Sequence, residues 1–211
     1  MARQGRIGDA WRRLAAATLL AVMAAAAAAG CSARVREGQS PAYIIIDALE
    51  AASGAEEDQF EGELNSDVIT GGTVFEDAGR VTMRLALKDV GAPSAPATPT
   101  ANNHITVTRY RVVYKRADGR NTPGVDVPHP FDGAITVTLS STSTPVQATF
   151  TLVRVQAKIE PPLAALTGGR GGTVLSTIAE VTFYGRDQTG RSVSATGQIS
   201  IHFADWGDPE S

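Results

Sequence analysis

Residues 192–203 alternate without a break. Val193, Ala195, Gly197, Ile199, Ile201 and Phe203 occupy one parity, and Ser192, Ser194, Thr196, Gln198, Ser200 and His202 the other. Successive side chains of a strand point to opposite faces, so this run reads as a strand with one face in a core and the other in water. At a rise of ~3.3 Å per residue the eleven residues from Val193 to Phe203 span about 36 Å. A strand of this kind must bury its apolar side against a second layer, which makes a packed β architecture the first expectation.

The rest of the chain agrees. From Cys31 onward Val, Ile and Thr make up 47 of 181 residues, and their branched Cβ atoms suit a pleated surface better than a helix. Val81, Met83, Leu85 and Leu87 alternate with Thr82, Arg84 and Lys88, and Ile135, Val137 and Leu139 with Thr136 and Thr138. Two runs change phase. Ile105 and Val107 share one parity while Tyr110, Val112 and Tyr114 take the other, which a bulge near Thr108–Arg109 reconciles. Ala148, Phe150 and Leu152 hand over to Val153, Val155, Ala157 and Ile159, which reads as a strand that bends or changes sheets.

The connections carry turn chemistry. Asp118-Gly119 and Asp187-Gln188-Thr189-Gly190 place glycine where a short hairpin needs positive φ, the second joining 180–186 to 191–203. Gly91–Asn103, with Pro93, Pro96 and Pro99, reads as a stiff extended loop, and Pro162–Leu166 as the only helical turn. The expected fold class is therefore all-β: an antiparallel immunoglobulin-like or fibronectin III-like β-sandwich of seven to eight strands, one domain over 41–211. The Cys…Trp…Cys pattern of true immunoglobulin domains is absent.

The amino terminus has a different composition. Arg3, Arg6, Arg12 and Arg13 precede sixteen residues, Leu14–Ala29, interrupted only by Thr18, and then come Gly30, Cys31 and Ser32. This is the pattern of a secretory signal peptide, a helix that is cleaved on export. Its end, Ala28-Ala29-Gly30-Cys31, resembles the lipobox of bacterial lipoproteins. The resemblance implies cleavage between Gly30 and Cys31, a diacylglyceryl group on the Cys31 thiol, and a lipid bilayer as partner. Ser32 after the cysteine leans towards the outer membrane of a Gram-negative cell envelope. The family most often has Leu at the Ala28 position, which keeps ordinary signal-peptidase cleavage near Ala29 as the alternative. Residues 31–40 show no periodicity and read as a flexible tether. Two or three acyl chains hold a protein stably on a membrane, since each buried CH₂ contributes roughly 0.8 kcal/mol.

Separating the leader changes the charge. Residues 1–30 hold 4 basic residues and 1 acidic one, which leaves 15 and 21 in the exported part, a net charge of −6. That excludes a basic body and makes nucleic acid an unsuitable partner. With Cys31 the only cysteine, no disulfide is available and the fold rests on packing.

Candidate sites are few. His104, His129 and His202 are far apart and carry no zinc-ligand spacing, so no cofactor or metal is expected from them. The acidic run Glu56, Glu57, Asp58, Glu61 and Glu63, with Asp67 beyond, has the oxygen chemistry of a weak calcium site but no D-x-D-x-D-G loop, and otherwise reads as a solvated loop. Gly168–Gly172 lacks the Lys-Ser/Thr of a phosphate-binding loop and reads as a flexible connection. Trp206 is the only tryptophan after the leader. It either plugs one end of the sandwich or offers an indole to a ligand, with Tyr110, Tyr114 and Phe131 as further ligand or partner contacts. The leading expectation is a non-enzymatic interaction or structural module whose loops 91–103 and 120–133 meet an envelope protein. A carbohydrate- or small-ligand-binding module is the alternative, and a hydrolase the third.

Overall fold

The computed structural model describes residues 38–169 and 172–206. The leader, with Gly30, Cys31 and nearly all of the expected tether, lies outside them. Residues Ser40–Ser211 form one compact unit.

Eight strands build two sheets, as the alternation requires. β1 (Ala42–Ala52), β3 (Asp77–Leu87) and β8 (Val146–Val153) form a three-stranded sheet in the order β1-β3-β8. β2 (Glu63–Asp67), β6 (Ile105–Lys115), β7 (Phe131–Leu139), β9 (Leu175–Asp187) and β10 (Ser192–Ala204) form a five-stranded sheet in the order β2-β10-β9-β6-β7. With β1, β3 and β8 as strands A, B and E, and β6, β9 and β10 as C, F and G, the order is that of an immunoglobulin-like sandwich. β4 (Gly91–Ala92) and β5 (Ala95–Pro96) pair separately, and α1 (Val155–Ile159) follows β8.

The expected alternation of the last strand is realised. β9 and β10 pair from Ser192↔Arg186 to Phe203↔Leu175, and the Gly190 turn has φ of 83°. The phase change in β6 is a register shift between Val107 and Arg109, seen from both of its neighbours. It turns Ile105 and Val107, and beyond it Tyr110, Val112 and Tyr114, all into the core.

Four expectations need correction. The sandwich is not wholly antiparallel: β2 runs parallel to β10, Ser200↔Glu63 through Ala204↔Asp67. The Gly91–Asn103 segment is not a stiff extended loop, because Gly91 adopts φ of 74° and folds 91–96 into a small hairpin, followed by a 3-10 turn at Ala101–Asn103. The turn at Asp118-Gly119 does not close a short hairpin, since the next strand starts only at Phe131. The phase change after Leu152 is not a strand changing sheets, because β8 stops at Val153 and the chain turns into α1. The expected helical turn near Pro162 is present as a 3-10 turn at Leu163–Leu166.

Aromatic rings join the sheets. Tyr110 lies 4.9 Å from Phe150 between ring centres, and Phe150 lies 5.4 Å from Phe183. Two glycines make room for them: a Cβ on Gly79 would stand 2.4 Å from the Phe150 ring, and one on Gly133 2.2 Å from that of Tyr110. The tyrosine hydroxyls then satisfy themselves across the sandwich, Tyr110 donating to the Thr151 carbonyl at 3.1 Å and Tyr114 to that of Leu152 at 2.7 Å.

Register separates the two ends of the sandwich. At one end the Lys88 amide donates to the Pro41 carbonyl, Ile105 faces both Leu139 and Asp187, and the Leu85 amide donates to the Ser141 carbonyl. The chain enters the sandwich there, beside connections 88–104, 140–145 and 188–191. The opposite end gathers connections 53–62, 68–76, 116–130 and 154–174, together with Trp206.

Candidate functional site

That second end, the loop end, is held by a buried ion pair. Lys158 of α1 and Asp77 at the start of β3 have side chains 1% and 0% exposed, with Nζ to Oδ1 at 2.8 Å. Lys158 also donates to the Asp67 carbonyl at 2.7 Å. The Ser66 hydroxyl donates to Asp77 Oδ2 at 2.6 Å, and the Gly54 amide to Oδ1 at 3.0 Å. Connections 53–62 and 154–174 are thereby joined to β2 and β3 in one network. Burial raises the Asp77 pKa, with Lys158, Ser66 and Gly54 opposing it.

The same network fixes Trp206. The Asp67 carboxylate accepts from the Trp206 amide at 3.1 Å and from the Thr70 hydroxyl, and the Asp205 carboxylate accepts from the Gly168 amide. The indole Nε1 is buried and has no hydrogen-bond partner among the described residues. The indole's polar atom is turned away from solvent, while the residue as a whole is half-buried.

The structure places Tyr110, Tyr114 and Phe131 in the core rather than on the surface. They are 4%, 2% and 7% exposed, their hydroxyls or rings engaged inside the core. Burial pushes the pKa of both tyrosines upward. The bulge is the reason: it moves Tyr110 and Tyr114 onto the inner face, and Phe131 sits opposite Val112 in the register with Arg154 over its ring at 4.2 Å. On the outer face of the five-stranded sheet Tyr184 is stacked under the Arg109 guanidinium at 3.9 Å. Its signal in the sequence is the polar parity of β9, which it shares with Glu180 and Thr182.

Glu56, Glu57, Asp58 and Glu61 stand exposed on the β1–β2 connection. Glu56, Glu61 and Glu63 line an open depression of about 80 Å³ with Ser53, Gln59 and Asn65. Among the described residues no group of His, Cys, Asp and Glu converges as metal ligands would. His129 is exposed, its ring against Gly124. His202 Nδ1 lies 2.9 Å from Ser176 Oγ on the open sheet face, a pairing set by the β9–β10 register. Gly168 and Gly169 are described and Arg170 and Gly171 are not. Gly168 has φ of 83°.

Charge and apolar exposure concentrate at the loop end. Its four connections carry eight described carboxylates: Glu56, Glu57, Asp58 and Glu61 in the first, Glu76 in the second, Asp118 and Asp126 in the third, Glu160 in the fourth. Four described bases oppose them, Arg116, Arg120, Arg154 and the buried Lys158. The connections of the entry end hold Lys88, Arg191 and Asp89. Five large apolar side chains are exposed in the loop-end connections: Phe75 at 39%, Val125 at 68%, Val155 at 40%, Ile159 at 54% and Val174 at 44%.

Comparison of the chain with protein-family models, with curated proteins and with solved structures returns no match. Among the described residues no helix is long and apolar enough to cross a membrane.

Proposed function

We propose that this protein is a lipid-anchored module of a bacterial cell envelope, tethered through Cys31 and working by non-enzymatic contact at the loop end of an immunoglobulin-like sandwich. The observation that carries the reading is the separation of the two ends. The chain enters at Pro41–Ala42, beside Lys88, and the loops richest in charge and exposed apolar groups lie at the other end. Nine residues between Cys31 and Pro41 reach at most about 35 Å fully extended. An anchor at Cys31 thus holds the entry end close to the bilayer and presents the loop end away from it. A rigid sandwich that offers its end loops in this way is a common arrangement for recognition.

The anchor is tested by mass spectrometry of the mature amino terminus. A chain beginning at Cys31 and carrying a diacylglyceryl group supports the reading. An unmodified Cys31, or a terminus upstream of it, overturns it.

A further inference from the structure

We infer that the loop end is a docking surface for a cationic amphipathic segment of a partner polypeptide. The inference rests on the proposed function and names the chemistry of the partner.

Its apolar centre is α1. Val155 and Ile159 are four residues apart, so one helical turn sets them on one side. Lys158 in the same turn faces inward, held by the Asp67 carbonyl and the Asp77 carboxylate. The exposure of the two aliphatic side chains is therefore not fraying: a buried charge pair pins the turn that points them outward. Burying an ion pair is expensive in desolvation, and here it fixes the orientation of a surface turn.

The rim is acidic on balance, although the exposed Arg154 precedes Val155. Ile159 is followed by Glu160, Phe75 by Glu76 and Val125 by Asp126, while Glu56 to Glu61 occupy the neighbouring β1–β2 connection. This connection touches the second directly, since a Cβ on Gly54 would meet Phe75 and Glu76. Apolar anchors within a charged rim are the layout of a recognition surface. The sign of the rim selects the occupant: a second copy of the chain brings the same carboxylates and is repelled, and so is an anionic lipid surface. What fits is an apolar ridge flanked by Lys or Arg.

The test uses the full chain in a non-ionic detergent, with a model amphipathic helix of leucine and lysine as probe. A water-soluble carbodiimide couples probe lysines to protein carboxylates, and peptide mapping locates the bonds, so probe dissolved in empty micelles gives no signal. Coupling is expected at Glu160, Glu76 and the Glu56–Glu61 connection, and is expected to fall as salt rises. Replacing Val155 and Ile159 together by Ser should lower its yield about tenfold, with unchanged circular dichroism because both side chains lie outside the core. Val90→Ser at the entry end should leave it unchanged. Coupling spread evenly over the surface, or a yield within twofold of the parent after the double serine change, overturns the proposal, as does no coupling at all. The state of Cys31 is read separately by mass spectrometry, so the failure of either idea is distinguishable from the failure of the other.

Discussion

Lys158 and Asp77 show how far one residue can matter when it is removed from water. Each alone is a buried charge, and together they join α1, β2, β3 and the β1–β2 connection. Lys158→Met should destabilise the protein by about 3–5 kcal/mol, because it strands the Asp77 carboxylate without its cation. Adding Asp77→Leu to it should recover a large part of the loss. Urea denaturation of the single and double variants measures both, and a double variant no more stable than the single one would contradict the account. Asp187 makes a pH-dependent contribution. Burial would raise its pKa, but donation by the Thr189 hydroxyl and the Thr189 and Arg191 amides outweighs this and the net direction is downward. A lowered folded-state pKa stabilises the protein above the unfolded carboxylate value near 4, and that contribution is lost as pH falls through the folded value. Asp187→Asn should therefore flatten the acid limb of a plot of stability against pH, with little change of its slope above neutrality. The Asp187 turn was legible in the sequence, but the Lys158–Asp77 pair was not, since its members are 81 positions apart and nothing local marks either as buried.

At the scale of elements, legibility follows how local the determinant is. β10 was readable because every residue from Ser192 to Phe203 obeys one period, and the β6 bulge because its two halves change parity. β2 was not, because five residues with a single buried aliphatic, Leu64, carry almost no pattern and pair in parallel with a strand far along the chain. α1 was missed because Val153, Val155, Ala157 and Ile159 also fit period two, and only the inward pull on Lys158 decides for a helix. The same failure explains the aromatic candidates: the sequence shows that Tyr110 and Tyr114 share a face, and only the second sheet makes that face the inner one. The β4–β5 hairpin stands apart, exposed from Gly91 to Pro96. Replacing those six residues by a Gly-Ser linker should change stability by no more than about 0.5 kcal/mol and shift the melting temperature by about 2 °C or less. A larger drop in a calorimetric scan would show that the hairpin supports the core.

At the scale of the whole molecule the argument concerns orientation. Strands of 11–13 residues make the sandwich about 36–43 Å long at ~3.3 Å per residue. A random coil of nine residues has a root-mean-square span of only about 17 Å, less than half that length, so the proposed lipid on Cys31 would bias the body to stand on its entry end. The loop end also carries most of the excess negative charge, and an anionic membrane surface turns such an end away. Both effects act in the same sense. With Cys31 occupied by lipid, a cysteine placed at Ser94 or at Val125 is the only free thiol and accepts one fluorophore. In vesicles bearing a headgroup-linked energy acceptor, transfer should be strong from position 94 and weak from position 125, and the contrast should grow as anionic lipid is added and shrink as salt is raised. Equal transfer from the two positions would mean that the body lies flat or tumbles on its tether, and the loop end would then no longer be the surface held out to a partner.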